Sequence, residues 1–332
     1  RVLELGCGLG GNITGLAVAL PGSEFVGVDL SPEQIAAGKA DARAIGLRNL
    51  TLKALDIKKV GPELGRFDYI LCHGIYSWVP AEVRAAIRRV CRENLSDNGV
   101  AYVSFNTYPG WHMRGMVRDM LRREAGDQKD AQERVRRARA LLELLSTVPP
   151  GGAPSQEFVR TEVSLLQSLG DEYLFYEHLV DINEPQYFKD FVIDIVQDGL
   201  CYLTDAYFPA VYQGRFGPDT ASAIDERSDD FIEREQLGDY IDTRFFRRAL
   251  LCHAGAPIDR ALTYERVLDL HVATDLAPTN DEMDLFSEEP GEFHNASGRG
   301  VSATLFPSKS VCASTLLPTV SMFPSLIHPL GE

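Results

Sequence analysis

Seven of the first 56 residues have types and spacing suited to holding a nucleotide: Glu4, then Gly6, Gly8, Gly10 and Gly11, then Asp29 and Asp56. A glycine-rich turn lets backbone N–H groups approach a ligand closely, and a carboxylate about 20 residues further on can accept both hydroxyls of a ribose. Gly6, Gly8 and Gly11 fit G-x-G-x-x-G, the dinucleotide pattern. Glu4, Gly6, Gly8 and Gly10 equally fit E-x-G-x-G-x-G, the pattern of S-adenosylmethionine sites. The glycines leave both open, and Asp29 does too, because both cofactors carry that ribose. Glu4 discriminates better. A carboxylate beside the turn repels a pyrophosphate, whereas an ammonium next to a sulfonium is attracted by it. Each acid also has a plain structural reading: Asp29 can cap the next helix, and Asp56 can make a turn.

These residues need strands to present them. Apolar, strand-like runs lie at 2–5, 24–29, 50–56, 67–72 and 100–106, and helical runs at about 11–20, 32–46 and 80–95 fall between them. Ser31-Pro32 and Pro80 mark helix starts. Strict alternation of this kind predicts a parallel sheet with right-handed crossovers. From Gly110 the pattern changes. Residues 113–147 read as one Arg-rich amphipathic helix ending at PPGGAPS, a second helix covers 156–169, and an aromatic stretch covers 172–185. A helix at 185–199 and strands at 199–208 and 245–253 then complete the sheet. Arg1 opens directly on a core strand, so the sequence is expected to be part of a longer chain.

Composition narrows the partners. The net charge of −15 over 332 residues argues against nucleic acid, which needs a basic face. Arg114 to Arg139 is locally basic, with 9 Lys/Arg against 5 Asp/Glu, and reads as a solvated helix laced with opposite charges. No apolar run reaches the ~20 residues that span a bilayer, so no membrane insertion is expected. The six cysteines are scattered without a C-x-x-C pair, which points to reduced thiols in a cytoplasmic protein and to no metal site.

VLELGCGLGGN, GVDLS and ALDI together resemble the first three motifs of class I S-adenosylmethionine-dependent methyltransferases. HGIYSWVP (73–80), SFNTYPGW (104–111), EHLVDINEPQYFKDF and FFRRALLCH resemble bacterial members that carry a methyltransferase regulatory domain. Some of those are protein-lysine methyltransferases acting on outer-membrane proteins. The resemblance implies an α/β, Rossmann-like seven-stranded sheet with a helical insertion and a partial C-terminal domain. Its expected parts are a cofactor-binding core (1–110), a regulatory, dimerising or lid-forming insertion (111–184), the rest of the sheet (185–255) and a truncated winged-helix-like segment (256–332). The implied cofactor is S-adenosyl-L-methionine. Glu4, Gly6, Cys7, Gly8 and Gly10 would shape the loop around its methionine portion, Asp29 and Leu30 would hold the ribose, and Asp56 and Ile57 the adenine. His73 and Gly74 would face it where the methyl group is delivered. The acceptor is a protein lysine or, alternatively, a small molecule, and a homodimer is one expected state. A non-catalytic cofactor-binding regulator is the other reading.

Methyl transfer is an in-line displacement with an already activated leaving group, so the protein mainly aligns the partners and excludes water. A lysine acceptor, with a pKa of about 10.4, must first lose a proton, which burial among aromatic rings promotes. Tyr76 and Tyr108 are expected to line the acceptor channel, Asn106 to orient the nucleophile and His73 to take the proton. Trp111 is expected to pack under the insertion, and His112 and His178 to be structural.

Overall fold

β1 (Val2–Leu5) is buried along its whole length, as befits a strand with neighbours on both edges and helices on both faces. The computed structural model describes residues 1–207, 213–260, 277–278, 291–294 and 300–303. After β1 the chain alternates through α1 (Gly11–Ala19), β2 (Phe25–Asp29), α2 (Pro32–Ala44), β3 (Leu50–Ala54), β4 (Phe67–Cys72), α3 (Ala81–Asn94) and β5 (Leu95–Asn106). The Ser31 hydroxyl accepts from Gln34 N and caps α2, with Pro32 at its first position, as the sequence signalled. β6 (Leu200–Asp205) and β7 (Phe246–His253) complete a seven-stranded sheet in the order β3-β2-β1-β4-β5-β7-β6. The first five strands pair in parallel, while β7 runs antiparallel to both β5 and β6. Strand order reverses direction between β1 and β4, and the crevice at such a switch point is where open α/β sheets bind ligands.

Side-chain alternation sorts the two faces. Leu3, Leu5, Ile70, Val103, Phe105 and Leu251 point into one core, which α3 and α8 (Phe188–Gln197) cover. Val2, Ile13, Leu16, Phe25 and Ile35 form a second core, on the other face, beneath α1 and α2.

The basic stretch is two helices rather than one. α4 (Gly110–Ala125) stops at Gly126, whose φ of 62° is left-handed, and α5 (Ala131–Ser146) restarts where the Asp130 side chain accepts from Gln132 N. Glu133 pairs with Arg136 and Arg137 along the surface as expected. Arg114, however, meets the buried Glu162, and Arg118, Arg134 and Arg139 turn inward to backbone carbonyls of Val180, Leu179, Leu166 and Leu169, so the stretch is more than a solvated face. α6 (Pro154–Ser168) and α7 (Asp171–Leu174), which runs on into a π-helical turn at Phe175–Leu179, join them around a separate core of Val117, Leu121, Ala138, Leu142 and Leu166. Between β6 and β7 the structure adds α9 (Pro218–Arg227) and α10 (Phe231–Asp242), which a helix and two strands over 185–253 did not include. Most of the expected winged-helix-like segment lies outside the described residues. Its described parts, β8 (Ala277–Pro278), β9 (Gly291–His294) and β10 (Gly300–Ala303), form a small antiparallel sheet. No helix among the described residues is long and apolar enough to cross a membrane.

Candidate active site

The turn after β1 is built from backbone bonds that only a glycine-rich sequence allows. Gly6, Gly8 and Gly10 have φ of 70°, 55° and 81°, a region that residues with a Cβ rarely enter. Gly6 N and Cys7 N both donate to Val28 O, and Gly10 N donates to Cys7 O, so the loop folds back over the end of β2. Asp29 locks it there. One carboxylate oxygen accepts from Gly8 N at 2.8 Å and the other from Ser31 N at 2.9 Å. The acid thus does its local turn work and also ties the two loops that a ribose would span. Cys7 turns its thiol into the core, where burial pushes its pKa up to about 12, and besides its backbone bonds it gives the loop a weak bond from Sγ to Gly8 O at 3.7 Å. Leu30, directly after Asp29, is 74% exposed, an apolar surface beside the turn.

Glu4 lies beneath this turn and is only 5% exposed. One of its oxygens accepts from Asn12 Nδ2 at 2.8 Å, while the other is buried with no hydrogen-bond partner. Burial raises its pKa to about 7 against the pull of hydrogen bonds from Asn12 and the Ile13 backbone. A buried carboxylate with an unmatched oxygen costs stability, and a cation brought to it would offset that cost.

Asp56 accepts from Lys58 N at 2.9 Å and caps a short 3₁₀ turn, so its turn-making role is realised. Ile57 is buried in the main core. At the ends of β4 and β5, His73 Nδ1 meets Ser104 Oγ at 2.9 Å and the Tyr102 hydroxyl at 3.2 Å, and Gly74 N donates to the same Ser104 oxygen at 3.0 Å. Burial, and then the Arg248 charge, lower the His73 pKa to about 4. His73 is therefore neutral at physiological pH and a weak base, poorly matched to the proton-taking role expected of it.

Asn106 Nδ2 donates to Asn183 Oδ1 at 2.9 Å. Asn183 and Tyr108 help to line a cavity of about 610 Å³ along α4, with Trp111, His112, Met116 and Asp119. Tyr108 stacks on His112 at 4.1 Å, so that histidine is part of the cavity wall rather than purely structural. Trp111 is 3% exposed and packs edge-on against Trp78, as expected of a residue under the insertion. Tyr76 is not brought to this group. It is 1% exposed, its ring meets Phe105 and Phe191, and its hydroxyl accepts from Arg88 at 2.7 Å inside the core that α3 and α8 cover. A ring sealed in a core does not line a channel, so that expectation is corrected. The sequence reading passed over Asn12, Tyr102, Ser104 and Asn183. Tyr102 has no local signal, whereas Asn12, Ser104 and Asn183 lie in VLELGCGLGGN, SFNTYPGW and the DINEP stretch, all of which carried the resemblance.

Comparison with known proteins fits this geometry. Residues 3–101 match the family described as a methyltransferase domain, and residues 170–253 match a predicted methyltransferase regulatory domain. The uncharacterized protein RP028 of Rickettsia prowazekii is 36% identical over 58% of this chain and 77% of its own length. The chain belongs to the class I S-adenosylmethionine-dependent methyltransferases that carry a regulatory domain. Another member from the same organism, uncharacterized protein RP789, is 36% identical over 86% of this chain, which spans about half (52%) of that relative's length. Among solved structures, PKMT2 from Rickettsia typhi in complex with AdoHcy superposes with a TM-score of 0.78 at 34% identity, covering 92% of this chain and 59% of that one. Within this methyltransferase family fold, the glycine turn, Asp29 and Glu4 lie in the methyltransferase domain, and Asn183 and all of β7 lie in the regulatory match.

Proposed function

We propose that the chain is an S-adenosyl-L-methionine-dependent methyltransferase acting on a lysine side chain of a protein. The observation that carries this reading is Glu4. A buried carboxylate with one unmatched oxygen beneath a glycine turn suits an ammonium next to a sulfonium and opposes a pyrophosphate. The sulfonium, when bound, supplies a methyl group activated for in-line displacement. Glu4 would hold the amino-acid end with the glycine turn around it, Asp29 and Leu30 the ribose, and Asp56 and Ile57 the adenine. Gly74 has a φ of 67° and open space where a side chain would be, which lets a ligand approach the end of β4 closely. Neutral His73, held by Ser104 and Tyr102, fixes the shape of that end without adding charge. Asn106 and Asn183 then orient the acceptor that enters by the cavity beside Tyr108. The likeness to PKMT2 and to protein-lysine methyltransferases supports lysine as the acceptor.

A cavity of about 610 Å³ is also the size that small-molecule sites have, so a metabolite panel belongs beside a panel of lysine-containing proteins. The five described cysteines are free, which supports a cytoplasmic location. Exposed Leu144 and Tyr176 on the insertion support a homodimer through that surface, measurable by light scattering. The deciding test of the reaction class is calorimetric titration with S-adenosylmethionine on wild type and on Asp29→Ala. Binding by wild type, weakened at least tenfold by the substitution, is expected. No binding, even by a chain of the relatives' full length, would sink the methyltransferase reading.

A further inference from the structure

β7 carries two neighbouring arginines with opposite surroundings. The Arg247 side chain is buried in the core and bonded to acids. The Arg248 side chain, on the other face, makes no hydrogen bond or ion pair with any described residue. Its guanidinium lies over Tyr207 and Phe246 at 5.2 and 5.3 Å from the ring centroids, flat supports that leave its N–H edge available.

The sheet register shows what this cation faces. Glu4, Leu71, Tyr102 and Leu250 form one row across β1, β4, β5 and β7. Two pairs nearer the carboxyl edge, Ser104 stands opposite Arg248, and Ser104 also holds His73. Phe246 meets the His73 ring edge-on at 6.1 Å, so the even positions of β7 share a face with His73. Glu4 is on that face too, because Leu3 and Leu5 on either side of it enter the opposite core. An unmatched carboxylate and an unmatched guanidinium therefore flank the end of β4, three strand spacings and two residues apart, or roughly 16 Å of backbone. On that face His73 and Gly74, at the end of β4, lie between the strands that carry Glu4 and Arg248, and the Cβ position of Gly74 is open space.

Resting on the cofactor reading above, we propose that Arg248 binds the α-carboxylate of S-adenosylmethionine, so that the regulatory domain completes the cofactor site that the methyltransferase domain begins. Glu4 takes the ammonium and Arg248 the carboxylate, a division that no part of the methyltransferase match at 3–101 could supply alone. The field of Arg248 is already felt in the site, where it helps to keep His73 neutral. A bound carboxylate would offset that field and move the His73 pKa back up.

The test compares S-adenosylmethionine with its decarboxylated analogue, which keeps the ammonium and the sulfonium, by calorimetry on wild type, Arg248→Leu and Arg248→Lys. Wild type should prefer the complete cofactor by about 10- to 100-fold, the range for a charged hydrogen-bonded contact. Arg248→Leu should lose that preference while binding the analogue as wild type does, which also shows that the variant is folded. Arg248→Lys should keep part of it. Equal weakening toward both ligands, or no change toward either, would overturn the assignment. Wild type that binds neither ligand removes the methyltransferase reading, and this assignment falls with it. Wild type that binds both without preference removes the assignment alone.

Discussion

Two buried ionic sites on opposite faces of the sheet differ in one respect, and that respect separates structure from function. Around Arg247, which is 1% exposed, every donor is matched. Nε and one terminal nitrogen grip the two oxygens of Asp239 at 2.8 Å, and the remaining N–H groups reach the Glu235 carboxylate at 3.0 Å, the Glu235 carbonyl at 3.0 Å and the Tyr202 hydroxyl at 3.2 Å. All five donors of the guanidinium are occupied, with Phe188 beneath it at 3.7 Å. Glu4 is buried too but keeps one oxygen unmatched. A saturated cluster braces β7 against α10. An unsaturated one is paid for in stability and keeps capacity for a ligand.

The contrast is broken most directly by removing Arg247. Arg247→Met takes the buried guanidinium from both Glu235 and Asp239. Asp239 keeps Arg244 at 3.3 Å and Glu235 keeps the Tyr202 hydroxyl at 3.4 Å, and the unfolding free energy should fall by about 3 kcal/mol, read from urea denaturation. Arg247→Lys, which keeps the charge but loses the two-pronged grip, should fall between. A loss below about 1 kcal/mol would mean that the cluster does not brace the sheet.

Glu4 should respond in the opposite sense. Its folded-state pKa of about 7 lies above the ordinary 4.5, so between those values the folded chain holds more protons than the unfolded chain. Stability therefore falls as pH rises through that window, by up to about 3 kcal/mol. Glu4→Gln removes the titration. Above pH 7 it should be the more stable protein by roughly 2–3 kcal/mol, with the difference vanishing near pH 4.5. It should also bind S-adenosylmethionine at least tenfold more weakly. A variant less stable than wild type at pH 8 would show that Glu4 is satisfied by the protein itself.

How much of this was legible in the sequence follows from the range of each interaction. The glycine turn, Asp29 and the first five strands are local: a short apolar run, a run of glycines, an acid at a strand's end. Period-two alternation says that Arg247 and Arg248 point to opposite faces, but not which face is core, because that depends on where α8 and α10 pack. Likewise Glu4 meets Asn12 only after the turn doubles back, and Asn106 meets Asn183 across 77 residues. The single helix expected over 113–147 failed because AGDQKD is polar enough to pass as its solvated face, while Gly126 in fact reverses the backbone.

Tyr76 is the residue on which sequence and structure differ most, and it gives the smallest and sharpest prediction. A tyrosine three residues after His73 reads as a channel wall by type and position. The structure gives its hydroxyl a different partner: Arg88, which also contacts Asp198 at 2.5 Å and Asp194 at 3.7 Å. Burial holds the phenol pKa near 12, so it stays neutral and accepts a hydrogen bond without adding a charge to the core. Tyr76→Phe keeps the ring between Phe105 and Phe191 and removes that one bond. Because Arg88 retains both carboxylates, the cost should be about 1 kcal/mol of stability. Affinity for S-adenosylmethionine should be unchanged, as should acceptor KM once an acceptor is identified. Unchanged stability with a raised KM would return Tyr76 to the acceptor channel and place the core of this fold closer to its chemistry than the cavity beside Tyr108.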